Sequence, residues 1–271
     1  MTVRTFCSLR CFTLHMIKSY FRVFILACLI LNGAALFAQR NERDISHNII
    51  FKPQFLQIKD EFNYGLVHNG LNLAGEYSRI SSAANNTFIY SAEIGFGALY
   101  REGLGMNWSL SPADLFYGFS LNKPNEVQVL LGPYALATYK WQLYPELQSG
   151  HMFWFSSYEL GPQVLVTLPV KAKRLSFELS FSLASFNSRP EPITEQYFYS
   201  LTFADFVKNP HSNMTFGSLN QYSHIHFMAQ LSDPNKNPAF ASEFEYFNYR
   251  MEPMFKYMTH SITFQWRLGR N

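Results

Sequence analysis

The stretch TFIYSAEIGFGALY, Thr87 to Tyr100, alternates with period two. Its even positions are Phe88, Tyr90, Ala92, Ile94, Phe96, Ala98 and Tyr100, while the odd ones include Thr87, Ser91, Glu93, Gly95 and Gly97. Successive side chains of a strand point to opposite faces, so this segment is a strand with one apolar and one small, polar face. It is also about twice the usual strand length of roughly 5 to 6 residues in soluble proteins.

The same pattern extends in both directions. Leu71, Leu73, Gly75 and Tyr77 alternate with Asn72, Ala74, Glu76 and Ser78, and Val127, Val129, Leu131, Ala135, Ala137, Tyr139 and Trp141 share one face. Leu175, Phe177, Leu179, Phe181 and Leu183 oppose Ser176, Glu178, Ser180 and Ser182. Ile225 to Leu231, Phe240 to Tyr246 and Met258 to Leu268 continue the series. Turn-forming clusters punctuate it at Ser81–Asn86, Asn122–Asn125, Lys171–Arg174 and Asp233–Asn235. Ten to twelve strands fit, the pattern being weakest at 104–121 and 197–206. There is no helical periodicity, repeat or domain linker.

Alternation alone does not say which face is wet, since a soluble sandwich or a lipocalin-like barrel has one apolar face pointing inward. Three features favour a lipid-facing apolar side: strands near the roughly 9 to 11 residues that cross a bilayer tilted, aromatics near strand ends such as Tyr139, Trp141 and Trp266, and a polar face of Ser, Gly, Thr and isolated Glu. In the last strand, Thr259, Ser261, Phe264 and Trp266 resemble the C-terminal recognition pattern of bacterial outer-membrane barrels, with Ser261 in place of its glycine. The resemblance implies an antiparallel transmembrane β-barrel in the outer membrane. It also implies two partners: outer-membrane lipid, and the barrel assembly machinery engaging the C-terminal strand.

The N-terminus reads as an export signal. Lys18 and Arg22 precede the apolar run Val23–Leu31, then Asn32-Gly33 and small residues up to Ala38-Gln39. Residues 1–38 are therefore expected to be a cleaved signal peptide and 39–271 a single barrel domain, a retained anchor helix being the alternative. Cys7, Cys11 and Cys28 all lie in this leader, which leaves the rest without disulfide or thiolate chemistry. Four of the 22 basic side chains, Arg4, Arg10, Lys18 and Arg22, lie there too, so 18 remain against 19 acidic ones. A near-neutral chain without a basic stripe gives no nucleic-acid surface.

Candidate chemistry sits in two places. Glu76, Glu93, Lys140, Glu178, Glu243, Glu245 and Arg267 occupy the wet face and would converge in the lumen, either lining a solute path or pairing with one another to fill it. His224 and His226 share that face without an evident third ligand, so no metal site is expected. The longest non-alternating stretch, Asn187–Gln221, holds His211, Ser212 and Asn213, then Ser218 and Asn220. Tyr144–His151 adds Ser149 and His151; strand counting places both segments on the outer side. These are the residue types of a nucleophile, its base and an orienting amide.

Here the chain weakly resembles outer-membrane phospholipase A and lipid A deacylases, whose His-x-Ser-Asn motif puts His and Ser on one strand face. His211 and Ser212 are adjacent instead, and Ser149 and His151 have the spacing in reversed order. The resemblance would imply lipid ester hydrolysis, with calcium as a possible cofactor; otherwise no cofactor is expected. Three roles stay open: a structural or partner-binding barrel whose protein partner the residues do not name, a small-solute channel, and a lipid-directed serine hydrolase.

Overall fold

The computed structural model describes residues 44–270, except 102, 122–126, 145–150, 191–201 and 234–235. The expected signal peptide and its cysteines lie outside the described residues. The chain forms β1 (Asp44–Asp60), β2 (Leu66–Ser82), β3 (Asn86–Tyr100), β4 (Leu104–Ser120), β5 (Gln128–Tyr144), β6 (His151–Val170), β7 (Lys173–Phe181) and β8 (Ala184–Ser188). A short helix α1 (Phe203–Lys208) follows, then β9 (Thr215–Ser218), β10 (Tyr222–Asp233), β11 (Lys236–Tyr249) and β12 (Phe255–Arg270).

Every pairing is antiparallel, and β1 pairs with both β2 and β12, which closes the sheet into a barrel. Closure matters because no strand edge is then left with unsatisfied backbone groups. The twelve segments make ten barrel staves. β7 and β8 form one stave broken at Ser182-Leu183, and β9 and β10 form its neighbour, with residues 219–221 looped out. At that break β6 exchanges its partner from β7 to β8, and Gly161 sits there. A Cβ at Gly161 would run into the Phe181 carbonyl, so the break requires glycine.

Short turns at 83–85 and 171–172 mark one end of the barrel, and the long 189–214 segment lies at the other. Outer-membrane barrels keep short turns on the periplasmic side and longer loops outside, which makes the first the inner end and the second the outer end. The weakly patterned stretch 104–121 is strand β4. Of 197–206, the described part enters α1, which is a helix because Thr202 and Asp205 form a reciprocal capping box. Six residues are too few for periodicity to reveal.

The faces are inverted relative to a soluble protein. Ile94 is 66% exposed and Phe55 62%, with Leu71, Leu73, Phe96, Phe240 and Ile262 also exposed on the outside. Inside lie Asn48, Lys52, Gln54, Asn72, Asn107, Lys140, Gln142 and Glu159, all buried. Phe96, Trp108, Trp141 and Trp154 stand in register across β3 to β6, forming an aromatic belt on the outer half. Tyr77 and Trp266 flank Ile49 on the inner half. Aromatic rings of this kind settle at the two membrane–water boundaries.

Candidate functional site

Two charged layers cross the lumen. In the lower one, Lys52 Nζ lies 2.6 Å from Glu76, 2.9 Å from Glu93 and 3.0 Å from Glu243. His226 bridges Glu243 at 3.1 Å and Glu178 at 3.5 Å. In the upper one, buried Glu159 accepts from Ser157 and Tyr222, each at 2.6 Å, and meets His224 Nδ1 at 2.8 Å. His224 then reaches Glu245 at 3.5 Å, which Lys140 approaches at 3.6 Å. Lys140 also lies over the Tyr257 ring at 3.9 Å and the Phe247 ring at 4.4 Å. A buried charge is tolerable only when it is paired and hydrogen-bonded, and these groups supply one another's partners.

Above the upper layer the bore fills with rings. Leu56, Ile58, Leu99, Tyr144, Phe155, Tyr222, Phe247, Tyr249, Phe255 and Tyr257 form one buried cluster. Phe155 stacks on Phe255 at 4.9 Å. At the rim Arg189 enters this cluster: its Nη2 lies 2.6 and 2.7 Å from the two Asp60 oxygens, and Nη1 donates to the Pro253 carbonyl at 3.0 Å. Asp60 also caps the 61–63 turn through Phe62 N at 3.0 Å. One guanidinium thus ties the 61–63 turn, the 250–254 turn and the start of the long segment across the mouth.

Below the upper layer lies a cavity of about 390 Å³. Its lining runs from His224, Gln54 and Tyr134 down to Arg174, Arg267 and Asp44 at the inner end, and includes none of the ten seal residues. The cavity therefore stops beneath the aromatic seal. Arg267, expected in the lumen, lines its exposed mouth and forms no ion pair among the described residues.

The hydrolase candidates lie on the other side of the wall. Residues 209–212 pack on the barrel exterior, where the Ser156 hydroxyl donates to the Pro210 carbonyl and the Ser188 hydroxyl to the Ser212 carbonyl. His211 Nδ1 lies 2.7 Å from the Tyr158 hydroxyl, and its ring meets Tyr139 edge-on at 5.5 Å. Partial burial holds the His211 pKa below its ordinary value, so the imidazole is neutral and shares a hydrogen bond with the Tyr158 hydroxyl. The Ser212 hydroxyl donates to Asn209 O at 2.6 Å, closing its own turn. Asn213 takes a left-handed conformation with φ of 54°. Ser218 ends β9 and Asn220 lies in the looped-out turn. No hydrogen bond joins His211 to a serine among the described residues. Ser149 lies outside them, as does the side chain of His151.

A closed barrel with apolar side chains outside and ion pairs inside can be stable only where lipid replaces water around it, the architecture of the bacterial outer membrane. This protein is an outer-membrane β-barrel. No protein-family model and no curated protein matches the chain. Among solved structures it is similar to the outer membrane protease OmpT from Escherichia coli, at 5% identity over 85% of this chain and 98% of that one, with a TM-score of 0.44. It is similar to the translocator domain of the autotransporter NalP from Neisseria meningitidis at 7% identity, covering 93% and 98%, with a TM-score of 0.44. Neisserial surface protein A follows at 6% identity, 81% and 95% coverage and a TM-score of 0.33. Likenesses this distant transfer no activity.

Glu76, Glu93, Lys140, Glu178, Glu243 and Glu245 stand in the two charged layers beside Lys52 and Glu159, which the wet-face pattern did not single out, nor did it single out the seal. Leu56, Ile58, Leu99, Phe155, Phe247 and Phe255 stand on the polar face of their strands. The available signal was that inward-facing apolar residues stand near the outer ends of β1, β3, β6, β11 and β12.

Proposed function

We propose that this barrel is a non-conducting outer-membrane protein with a structural or partner-binding role, closed at its outer end and open to the periplasm only as a blind cavity. The observation that carries the reading is the seal: ten buried side chains, eight of them aromatic or β-branched, fill the bore above the ion-pair layers, and Arg189 fastens the rim over them. Each fully buried large apolar side chain contributes roughly 1.5 to 3 kcal/mol relative to exposure, so wetting such a plug to open a path is strongly unfavourable. The glutamates of the two layers beneath it are held by Lys52, Lys140, His224 and His226, whereas a conducting pore needs charges free to meet the ion.

The hydrolase reading has less support. The neutral His211 is spent on Tyr158, and the Ser212 hydroxyl closes a turn instead of facing a base. Planar-bilayer recording on the purified barrel tests the proposal. The expected result is no steady current; a stable conductance proportional to salt concentration would replace the closed reading with a channel.

A further inference from the structure

The blind cavity has two unlike walls. Ile89, Phe116, Leu130, Leu136 and Leu165, from β3 to β6, face inward and present a continuous apolar surface beside Tyr134. Lys52, His226 and Glu243, from β1, β10 and β11, line it on the other strands with their paired charges. Phe116, Leu130, Tyr134 and Leu136 are buried against one another, with Ile89 and Leu165 partly buried beside them, so one wall of the cavity offers an apolar instead of a hydrogen-bonding surface. The volume of about 390 Å³ falls in the range of small-molecule sites, about 300 to 1,000 Å³.

Asp114 stands on β4, among the strands of the apolar wall. It lies opposite Ser91 on β3 and Leu136 on β5 and lines the cavity. Among the described residues, it is the cavity carboxylate that has neither a hydrogen bond nor an ion pair. The glutamates in the lining are each held by Lys52, Lys140 or a histidine, so their charge is compensated and that of Asp114 is not. The site therefore favours a cation over an anion, and the leucine wall favours one with an apolar body.

We propose that the cavity binds a small organic cation, its ammonium group on Asp114 and its apolar part on the wall of Phe116, Leu130 and Leu136, entering from the inner end. The proposal rests on the closed-top reading for its direction of entry alone. No covalent step is involved.

The test uses the full-length barrel in phosphatidylcholine nanodiscs, with empty nanodiscs as the blank, and titrates three probes that share a phenethyl group: phenethylammonium, phenethyl alcohol and hydrocinnamate. Phenethylammonium should bind saturably, the alcohol roughly tenfold or more weaker, and the anion not at all, because a charge-assisted contact is worth roughly 10- to 100-fold. Asp114→Asn should erase the preference of cation over alcohol, and Leu136→Gln should weaken both. Equal binding of cation and alcohol to the unmodified protein, or no binding of either, overturns the proposal without recourse to any variant. So does an unchanged preference in Asp114→Asn. Conductance separates this failure from that of the closed-top reading: binding with a steady current leaves the site standing and removes the seal, and no binding with no current does the reverse.

Discussion

Replacing Arg189 with methionine isolates what holds the mouth shut. The guanidinium contacts both Asp60 oxygens at 2.6 and 2.7 Å, donates to Pro253 O at 3.0 Å, and lies 5.0 and 4.9 Å from the rings of Phe62 and Phe255. Its side chain is 3% exposed and that of Asp60 1%. Methionine keeps much of the packing volume but leaves the Asp60 carboxylate with Phe62 N as its remaining donor and removes the donor to Pro253 O. Breaking a buried pair by deleting one partner costs about 3 to 5 kcal/mol, mostly from the stranded charge. Removing the charge as well should return most of that loss, because Asp60→Asn still offers an oxygen to Phe62 N. The assay is urea unfolding of the barrel in lipid vesicles, read by the gel shift between folded and heat-unfolded forms. Arg189→Met should be destabilised by about 3 kcal/mol or more, and Asp60→Asn/Arg189→Met by clearly less. A single variant within about 0.5 kcal/mol of the parent, the range of ordinary surface changes, would refute the claim that this pair fastens the rim. A double variant as damaged as the sum of the two singles would refute the stranded-charge reasoning.

Three further outcomes follow from the geometry. Phe264→Arg places a charge against lipid and should cost roughly 2 to 4 kcal/mol near mid-bilayer, whereas Gln265→Arg faces the cavity and should be tolerated; equal folding yields of the two would overturn the facial assignment. Because the His211 pKa is lowered in the folded protein, the unfolded chain binds its proton first. Docking of 209–212 should therefore be fully retained above the unfolded value of about 6.5 and weaken as pH falls through the folded one. Proteolysis of the segment should rise at acid pH in the parent and stay flat in His211→Gln; a flat parent profile would contradict this. Finally, release of fatty acid from phospholipid or lipopolysaccharide, with or without calcium, should not exceed that of His211→Ala, Ser212→Ala, Ser218→Ala and Ser149→Ala. Activity lost in any of these variants would restore the hydrolase.

The barrel was legible because its outside is simple. Lipid accepts only apolar side chains, so Phe88 to Tyr100 or Leu175 to Phe181 must keep strict alternation, and period two survives to the last strand. The inside obeys no such uniform rule. Lys52 is absent from the expected lumen charges, although it is the cation that Glu76, Glu93 and Glu243 share, since nothing local distinguishes it from Lys59, which faces outward. Asp60 and Arg189 are 129 positions apart, and no local pattern records such a pair. The outer segment misled for the opposite reason: His, Ser and Asn adjoin in sequence at 211–213, yet a tight turn and a wall of tyrosines send their side chains to different partners.

Residues 39–271 contain no cysteine, so single cysteines can report from which side the lumen is reached. Ser176→Cys would place a thiol in the blind cavity, and Tyr64→Cys one on the outer turn, where Tyr64 is 78% exposed. Intact cells treated with a membrane-impermeant maleimide should label Tyr64→Cys and leave Ser176→Cys unlabelled until the periplasmic side is opened. Labelling of Ser176→Cys from outside at a rate comparable to Tyr64→Cys would show an open bore and contradict the sealed barrel.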